Sequence, residues 1–198
     1  GPSRREVSAN MSSSTSAAVF HSQASQALGC QQVARLFSPL ACRTFTDVYF
    51  ERLHLLSRAT GMEHLLRSEE LPGLASHWQF KIAEDHAQAR ILLPGSFMHD
   101  DAYKPGALLD GPALTRAVQA NRTVVLHNVE LYSRRIGLLA LGLMRAFGVY
   151  SQANVYYSPP GLESAVHAHQ DAQSVFIVQC EGRKRWQLLE PPQRWRLR

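Results

Sequence analysis

The sequence predicts an α+β fold, with a helical N-terminal part followed by strands. In the first half, apolar residues recur every three or four positions, which is the spacing of an amphipathic helix. In the second half, short apolar runs are bounded by Gly, Pro and Asn, as strands usually are. Helices that precede strands, instead of alternating with them, favour α+β over a parallel α/β sheet.

The first 32 residues differ in composition from the rest of the chain. They are rich in Ser, Ala and Gln, and no Asp or Glu occurs from Met11 to Thr46. This composition is typical of a disordered tail and also of an organelle targeting segment, and the residues do not separate the two. We therefore predict a tail or targeting segment over residues 1–32 and one domain over residues 33–198.

The helical spacing begins at Val33 and continues to about Leu74. Residues 44–56, TFTDVYFERLHLL, predict one helix. Residues 62–78, MEHLLRSEELPGLASHW, predict a short helix, a break at the Pro-Gly pair and a further element. Loose alternation over residues 77–97 predicts strands joined by a turn.

The elements of the second half are more regular. Residues 113–120 predict a short helix after an Asp-Gly-Pro turn, and RTVVLHNVE (residues 122–130) predicts a buried strand. Tyr132–Phe147 is the clearest helix, because its apolar residues share one face, and Gly148 ends it. QANVYYSPPG then predicts a strand that runs into a turn. DAQSVFIVQCEG predicts a strand whose hairpin partner is KRWQLLEPP.

Charge and cysteine content limit the environment of the chain. The formal charge of +5 and the pI of about 9.4 allow contact with RNA or ribosomes. No apolar run approaches the roughly 18 residues that a membrane span needs, so no membrane partner is expected. The three cysteines are odd in number and show no CxxC pair, which predicts a reduced, intracellular compartment without a disulfide framework.

The triplet His169-Gln170-Asp171 has the spacing of a metal half-site. On a strand, residues i and i+2 point to the same face, so an imidazole nitrogen and a carboxylate oxygen can reach one ion. Two histidines and one carboxylate form the usual facial triad of non-haem Fe(II). A polar loop before a strand explains the same three residues, and the spacing alone leaves both interpretations open.

Lys184 lies fifteen residues after His169, beyond a turn at Glu181-Gly182. A hairpin at this turn would bring the lysine beside the preceding strand and into the same cavity as the metal. A buried cation needs an anion, and a dicarboxylate ligand would supply one. The alternative is an ordinary solvated Arg-Lys-Arg turn.

The block NVYYSPPG…HQDAQSVFIVQCEGRKRWQLLEPP resembles the JmjC/cupin-like 2-oxoglutarate oxygenases, closest to the ribosomal oxygenase branch. RLFSPLACRTFTDVYFERLHLLSR and RTVVLHNVELYSRRIGLLALGLMRAFG resemble the upstream helices and strand of that family. The likeness covers about residues 33–192. It implies a helical part followed by an incomplete double-stranded β-helix, a jelly roll. Residues 33–198 would then be the N-terminal portion of such a domain.

The resemblance also implies roles for single residues. His169 and Asp171 would be two of three Fe(II) ligands, and Lys184 would hold the distal carboxylate of the cosubstrate 2-oxoglutarate. Asn154 and Tyr156 match positions that line the cosubstrate pocket. The implied dioxygenase reaction hydroxylates a protein side chain while 2-oxoglutarate and oxygen yield succinate and carbon dioxide.

Trp186 would be core packing behind that pocket. Ribosomal proteins are typical substrates of this branch, lysine demethylation is claimed for wider relatives, and the parent protein is expected to be a homodimer. The expected location is the nucleus or nucleolus, the cytoplasm or an organelle.

Two departures from the family pattern affect these expectations. The family's second histidine ligand lies several strands downstream, and the 27 residues after Asp171 contain no histidine. We therefore expect the chain to stop before that ligand and not to be competent alone. The interval from Asn154 to His169 is also about one residue longer than is usual. That shift makes His167 an alternative metal ligand, as in the cupin pattern G-x5-H-x-H-x3-E, although Gln173 replaces its glutamate.

Two functions from different classes follow. The first is an Fe(II)- and 2-oxoglutarate-dependent protein hydroxylase, incomplete in this chain. The second is a non-catalytic cupin-like binding or scaffold module that contacts RNA or ribosomes through a basic face. The residues of that face are Arg183, Lys184, Arg185, Arg194, Arg196 and Arg198.

Overall fold

The computed structural model describes residues 22–58, 62–83 and 88–189. Its first element is helix α1 (Gln23–Phe37), whose N-terminus is capped by the Ser22 hydroxyl, which accepts from the Ser25 amide at 3.1 Å. The predicted boundary at residue 32 therefore falls inside a helix. Residues 23–32 are helical because the cap starts the helix and its apolar face is buried, whereas residues 1–21 lie outside the described residues.

Helix α2 is shorter than the sequence predicts. It comprises Cys42–Thr44 and continues as a π-helical turn over Phe45–Tyr49. The helix predicted for residues 44–56 ends there, because the backbone turns away at Glu51, where φ is 58°.

A disulfide joins Cys30 of α1 to Cys42 of α2. The prediction that the chain has no disulfide is therefore wrong. The two cysteines are 12 positions apart in sequence, and the helices bring their Cα atoms to 5.5 Å, within the range that a disulfide spans.

Helix α3 (Leu71–Trp78) follows a 3₁₀ turn over Ser68–Glu70. The predicted break at Pro72 is wrong, because this proline lies in the first turn of the helix. The missing N–H of proline is harmless there, since the first amides of a helix have no partner inside it. The break predicted from the Pro-Gly pair is thus a helix start.

Three antiparallel strands form the sheet, in the order β1 (Ala89–Leu92), β2 (Thr123–Leu126) and β3 (Val155–Tyr157). Helix α4 (Gly111–Gln119) lies between β1 and β2 in sequence, and α5 (Arg134–Phe147) lies between β2 and β3. The sequence predicts both helices within two residues of these bounds. Gly148, with φ of 69°, ends α5 as expected.

The two faces of the sheet differ in chemistry. One face packs into an apolar core with α3 and α4 and presents Ala89, Ile91, Val124 and Leu126. Alternation along a strand places the neighbouring residues on the opposite face. This second face, which we call the polar face, carries Arg90, Leu92, Thr123, Val125 and Tyr156.

A second apolar cluster holds α1, α2 and α5 together. Gly29 of α1 lies so close to α5 that a Cβ there would stand 2.4 Å from the Ala146 nitrogen. Aromatic rings fill the rest of the cluster, with Phe37 and Phe45 stacked at 4.1 Å. In the described part of the chain, no helix is long and apolar enough to cross a membrane.

Residues 171–189 do not form the predicted strand and hairpin. In the described segment they make no ladder with the sheet. Their side chains are held instead by the two clusters, with Phe176 packed against Phe37 and Phe147, and Cys180 packed against the sheet core. Trp186, expected in the core, is 55% exposed, because no second strand folds back to cover it.

Candidate functional site

Two predicted pocket residues lie at the third strand. Tyr156 is paired with Val125 of β2, and Val125 is paired with Arg90 of β1, so the three side chains form one row on the polar face. Asn154 immediately precedes β3, and its side-chain oxygen accepts from the Asn128 amide at 3.3 Å. The sheet therefore fixes Tyr156, while a loop contact fixes Asn154.

The two residues predicted as a metal half-site lie close together, although not on a strand. His169 Nε2 lies 3.7 Å from an Asp171 carboxylate oxygen, and both side chains are partly exposed. His169 Nδ1 lies 3.0 Å from the His167 carbonyl oxygen. Because a carbonyl only accepts, this contact requires a proton on Nδ1, and a neutral ring would then carry its lone pair on Nε2. That tautomer presents Nε2 beside the carboxylate, as a metal ligand would require.

Phe97 positions the loop that carries the histidines. The edges of its ring and the imidazoles meet nearly at right angles, with centroid distances of 4.8 Å to His167 and 4.4 Å to His169. The Gly95 amide also donates to the Ser164 carbonyl at 2.9 Å. The turn after β1 therefore supports the whole loop.

His167 is not grouped with His169 and Asp171 as a third donor in the described structure. Its carbonyl orients His169 and its ring packs on Phe97. Within residues 22–58, 62–83 and 88–189, no three His, Cys, Asp or Glu side chains come together as a group able to hold an ion. Residues 161–171 contain no strand, so no strand face aligns His167 with His169.

Lys184 lies near the ring of Tyr156. Its ammonium nitrogen lies 5.9 Å from the centroid of the Tyr156 ring. Burial lowers the pKa of Lys184. Burial first, and then the nearby charge of Asp171, raise the pKa of Tyr156. Tyr156 is thus near both Asp171 and Lys184, and the structure brings four of the predicted residues together: Tyr156, His169, Asp171 and Lys184.

Glu181 anchors the turn that delivers Lys184. Its carboxylate accepts from both the amide and the hydroxyl of Ser68, each at 2.7 Å. These bonds lower the pKa of Glu181, with the amide making the larger contribution. Gly182 follows with φ of 70°, a conformation that glycine adopts without strain. A side chain 113 positions earlier in the sequence therefore sets the place of Lys184.

Three residues of the site were missed by sequence reasoning. Arg90 is buried on the polar face, Phe97 supports the loop, and Thr123 shares a 3.1 Å hydroxyl contact with Ser158. The alternation of β1 places Arg90 opposite its apolar neighbours, which is a weak signal. Nothing local in the sequence relates Phe97 to residues 167–169.

Residues 139–196 match the JmjC domain family. The chain is 33% identical over 81 residues to the bifunctional lysine-specific demethylase and histidyl-hydroxylase NO66 of Drosophila simulans, covering 41% of this chain and 9% of that protein. It is 25% identical over 179 residues to the protein of that name in Drosophila persimilis, covering 86% of this chain and 25% of that protein. It is 36% identical over 64 residues to ribosomal oxygenase 1 of Danio rerio, covering 32% of this chain and 12% of that protein.

The chain spans a quarter or less of the length of these relatives. The matched segment begins in α5 and includes β3, the histidine loop and Lys184. Helices combined with a small antiparallel sheet, together with this match, confirm the α+β class and the incomplete cupin-like jelly roll. Residues 139–196 therefore match the JmjC domain family, and parts of the chain are similar to ribosomal oxygenases.

Proposed function

We propose that the protein to which this chain belongs is an Fe(II)- and 2-oxoglutarate-dependent protein hydroxylase. One observation carries the proposal most directly: the His169–Asp171 donor pair and the half-buried Lys184 both lie near Tyr156. A scaffold has no need of a metal-type donor pair beside a desolvated cation. The JmjC match over residues 139–196 supports the same reaction class.

The donors present fit iron. An imidazole nitrogen with a free lone pair and a carboxylate oxygen 3.7 Å away are two of the three ligands of a facial triad. Bound Fe(II) would supply the oxygen-activating chemistry of the family. The third ligand is expected from a histidine further along the parent protein. His167 and Phe97 would keep the His169 ring oriented for that role.

The protein's own groups would bind and orient the cosubstrate. Lys184, with no carboxylate within ion-pair distance in the described part of the chain, would hold the distal carboxylate of 2-oxoglutarate. The Tyr156 phenol would remain protonated at neutral pH, since its pKa is raised, and would donate to an anionic ligand. Asn154 would line the edge of this pocket.

The proposed substrate is a protein side chain, and a ribosomal protein is the first choice. The relatives' names support this, since they include two ribosomal oxygenases and a histidyl-hydroxylase. The same names include lysine demethylase activity, and peptides bearing either histidine or methyl-lysine separate the two reactions.

The proposal is tested by anaerobic titration of the chain with Fe(II) and 2-oxoglutarate. We expect weak iron binding that 2-oxoglutarate strengthens, and loss of this coupling in His169→Ala and Lys184→Ala. His77→Ala and Arg185→Ala are matched controls, because both side chains are exposed and neither was assigned to the site. A chain that is folded by circular dichroism but binds neither ligand would favour the RNA- or ribosome-binding scaffold instead.

A further inference from the structure

Arg90 is a buried cation that the proposed roles do not use. It lies in the middle of β1 and is 9% exposed. One of its terminal nitrogens donates to the Phe97 carbonyl. Its Nε is buried without a hydrogen-bond partner, and no carboxylate of the described residues lies within ion-pair distance of the guanidinium.

A buried guanidinium without an anion is unfavourable. Removing the charge from water costs free energy that a neutral carbonyl returns only in part. Proteins that keep such a group usually pair it with a carboxylate or phosphate, which accepts from the fork of guanidinium N–H groups. The Phe97 carbonyl fixes one arm of this fork and leaves Nε–H for another acceptor.

The position of Arg90 indicates which acceptor this is. Arg90, Val125 and Tyr156 form one row across three strands, and adjacent strands lie about 4.8 Å apart. The long arginine side chain therefore reaches toward the ring that Lys184 overlies. Two cations flank Tyr156, while the nearby acid, Asp171, is paired with His169.

We propose that Arg90 and Lys184 together bind the distal carboxylate of the dicarboxylate cosubstrate. This inference rests on the proposed function and adds to it a second cation contributed by β1. Arg90 supplies a planar fork held by Phe97, and Lys184 supplies a point charge over the Tyr156 ring. A ligand with a single carboxylate at its metal-binding end would gain nothing from either residue.

Isothermal titration with 2-oxoglutarate and with glutarate tests the proposal. Glutarate lacks the keto-acid group and so reports on the carboxylate pocket separately from the metal half-site. We expect Arg90→Met to weaken both ligands about tenfold or more, as the loss of a charge-assisted hydrogen bond would. Arg116→Met, which removes the same charge from an exposed position of α4, should leave both affinities unchanged.

The outcomes separate this proposal from the hydroxylase function. Unchanged affinities in Arg90→Met, with losses in Lys184→Met, overturn the role of Arg90 and leave the function standing. A folded wild-type chain that binds neither dicarboxylate overturns both. If Arg90→Met lacks the folded circular dichroism spectrum, Arg90→Lys decides. A loss of about three- to tenfold supports the planar fork, and wild-type affinity overturns it.

Discussion

At the scale of single residues, substituting Lys184 distinguishes a ligand-binding role from a structural one. Its ammonium group is half-buried and has no anion partner in the described segment, so it does not stabilise the fold. We expect the free energy of unfolding of Lys184→Met to lie within about 0.5 kcal/mol of the wild-type value, or above it. The same substitution should remove the 2-oxoglutarate response, and thermal unfolding with and without ligand measures both effects.

Arg185→Met is the control for that comparison, because Arg185 is the exposed neighbour of Lys184. A destabilisation of Lys184→Met above about 2 kcal/mol, as for a core residue, would contradict the ligand-binding role.

Asp100 provides a pH-dependent prediction. Arg122 donates a hydrogen bond to its carboxylate, which lowers the pKa of Asp100, and the Ala102 amide lowers it further. A lowered pKa in the folded state means that the stabilisation is complete above the unfolded-state pKa and is lost as the pH falls through the folded-state value. We therefore expect Asp100→Asn to cost roughly 1–3 kcal/mol at pH 7.

This cost should begin to shrink below about pH 4, where the unfolded-state carboxyl binds a proton, and should vanish as the pH falls through the lower folded-state pKa. Melting temperatures of both proteins from pH 7 to pH 3 measure it, with Asp101→Asn as the exposed neighbouring control. A difference that is independent of pH would show that the ion pair with Arg122 is not its cause.

At the scale of elements, the contact between α1 and α5 depends on Gly29. A Cβ at this position would lie 2.4 Å from a backbone nitrogen of α5, so the helices would have to separate. We expect Gly29→Ala to destabilise the fold by about 1–3 kcal/mol. Gly73 is the matched control, because it lies in α3 with nothing within 4 Å of its Cβ position.

Gly73→Ala should therefore stabilise the protein by about 0.5–1 kcal/mol through helix propensity. Chemical denaturation of both variants measures the two changes in the free energy of unfolding, which should have opposite signs. Equal effects of the two alanines would contradict the close approach of α1 to α5.

The Cys30–Cys42 bond links two elements of the same cluster. Its loss in Cys30→Ser/Cys42→Ser should lower stability by about 2–3 kcal/mol, because the unfolded chain regains the freedom of a short closed loop. Denaturation with and without a reducing agent checks this. The reductant should weaken wild type and Cys180→Ser alike, and it should leave the double variant unchanged.

The elements differ in how far local sequence determined them. Helix α5 and strand β2 were predicted because a capped apolar face and a run of β-branched residues are local signals. The helix at residues 44–56 and the strand at 171–182 were not found as predicted. Aromatic residues of both segments, among them Phe45 and Phe176, pack in the cluster around Phe37, and tertiary contacts of that kind override local periodicity.

At the scale of the whole molecule, the site joins segments that differ in how many backbone hydrogen bonds hold them. Strand β2 is paired on both sides, whereas no backbone amide of residues 172–180 donates to another backbone group of the described chain. Hydrogen exchange should therefore be slowest at Val124–Leu126 and nearly unprotected at 172–180. Slow exchange over 172–180 would indicate a strand pairing that the structure lacks.

The site itself was only partly accessible from sequence for the same reason. His169 and Asp171 are neighbours along the chain, so their chemistry is visible as a triplet. Arg90 joins them only through strand register, and Ser68 joins Lys184 only through Glu181. Contacts that depend on register and on loop closure leave no periodic mark in a single sequence.

Because both faces of β2 are buried, residues cannot be inserted or deleted freely within this strand. Val124 and Leu126 face the core while Val125 faces the pocket row, and all four residues of the strand are buried. Inserting or deleting one residue within β2 would turn core-facing side chains toward the opposite face of the sheet, and the reverse. Length variation among natural variants should therefore gather in the loops on either side of β2, and an indel library would return survivors there but none within the strand.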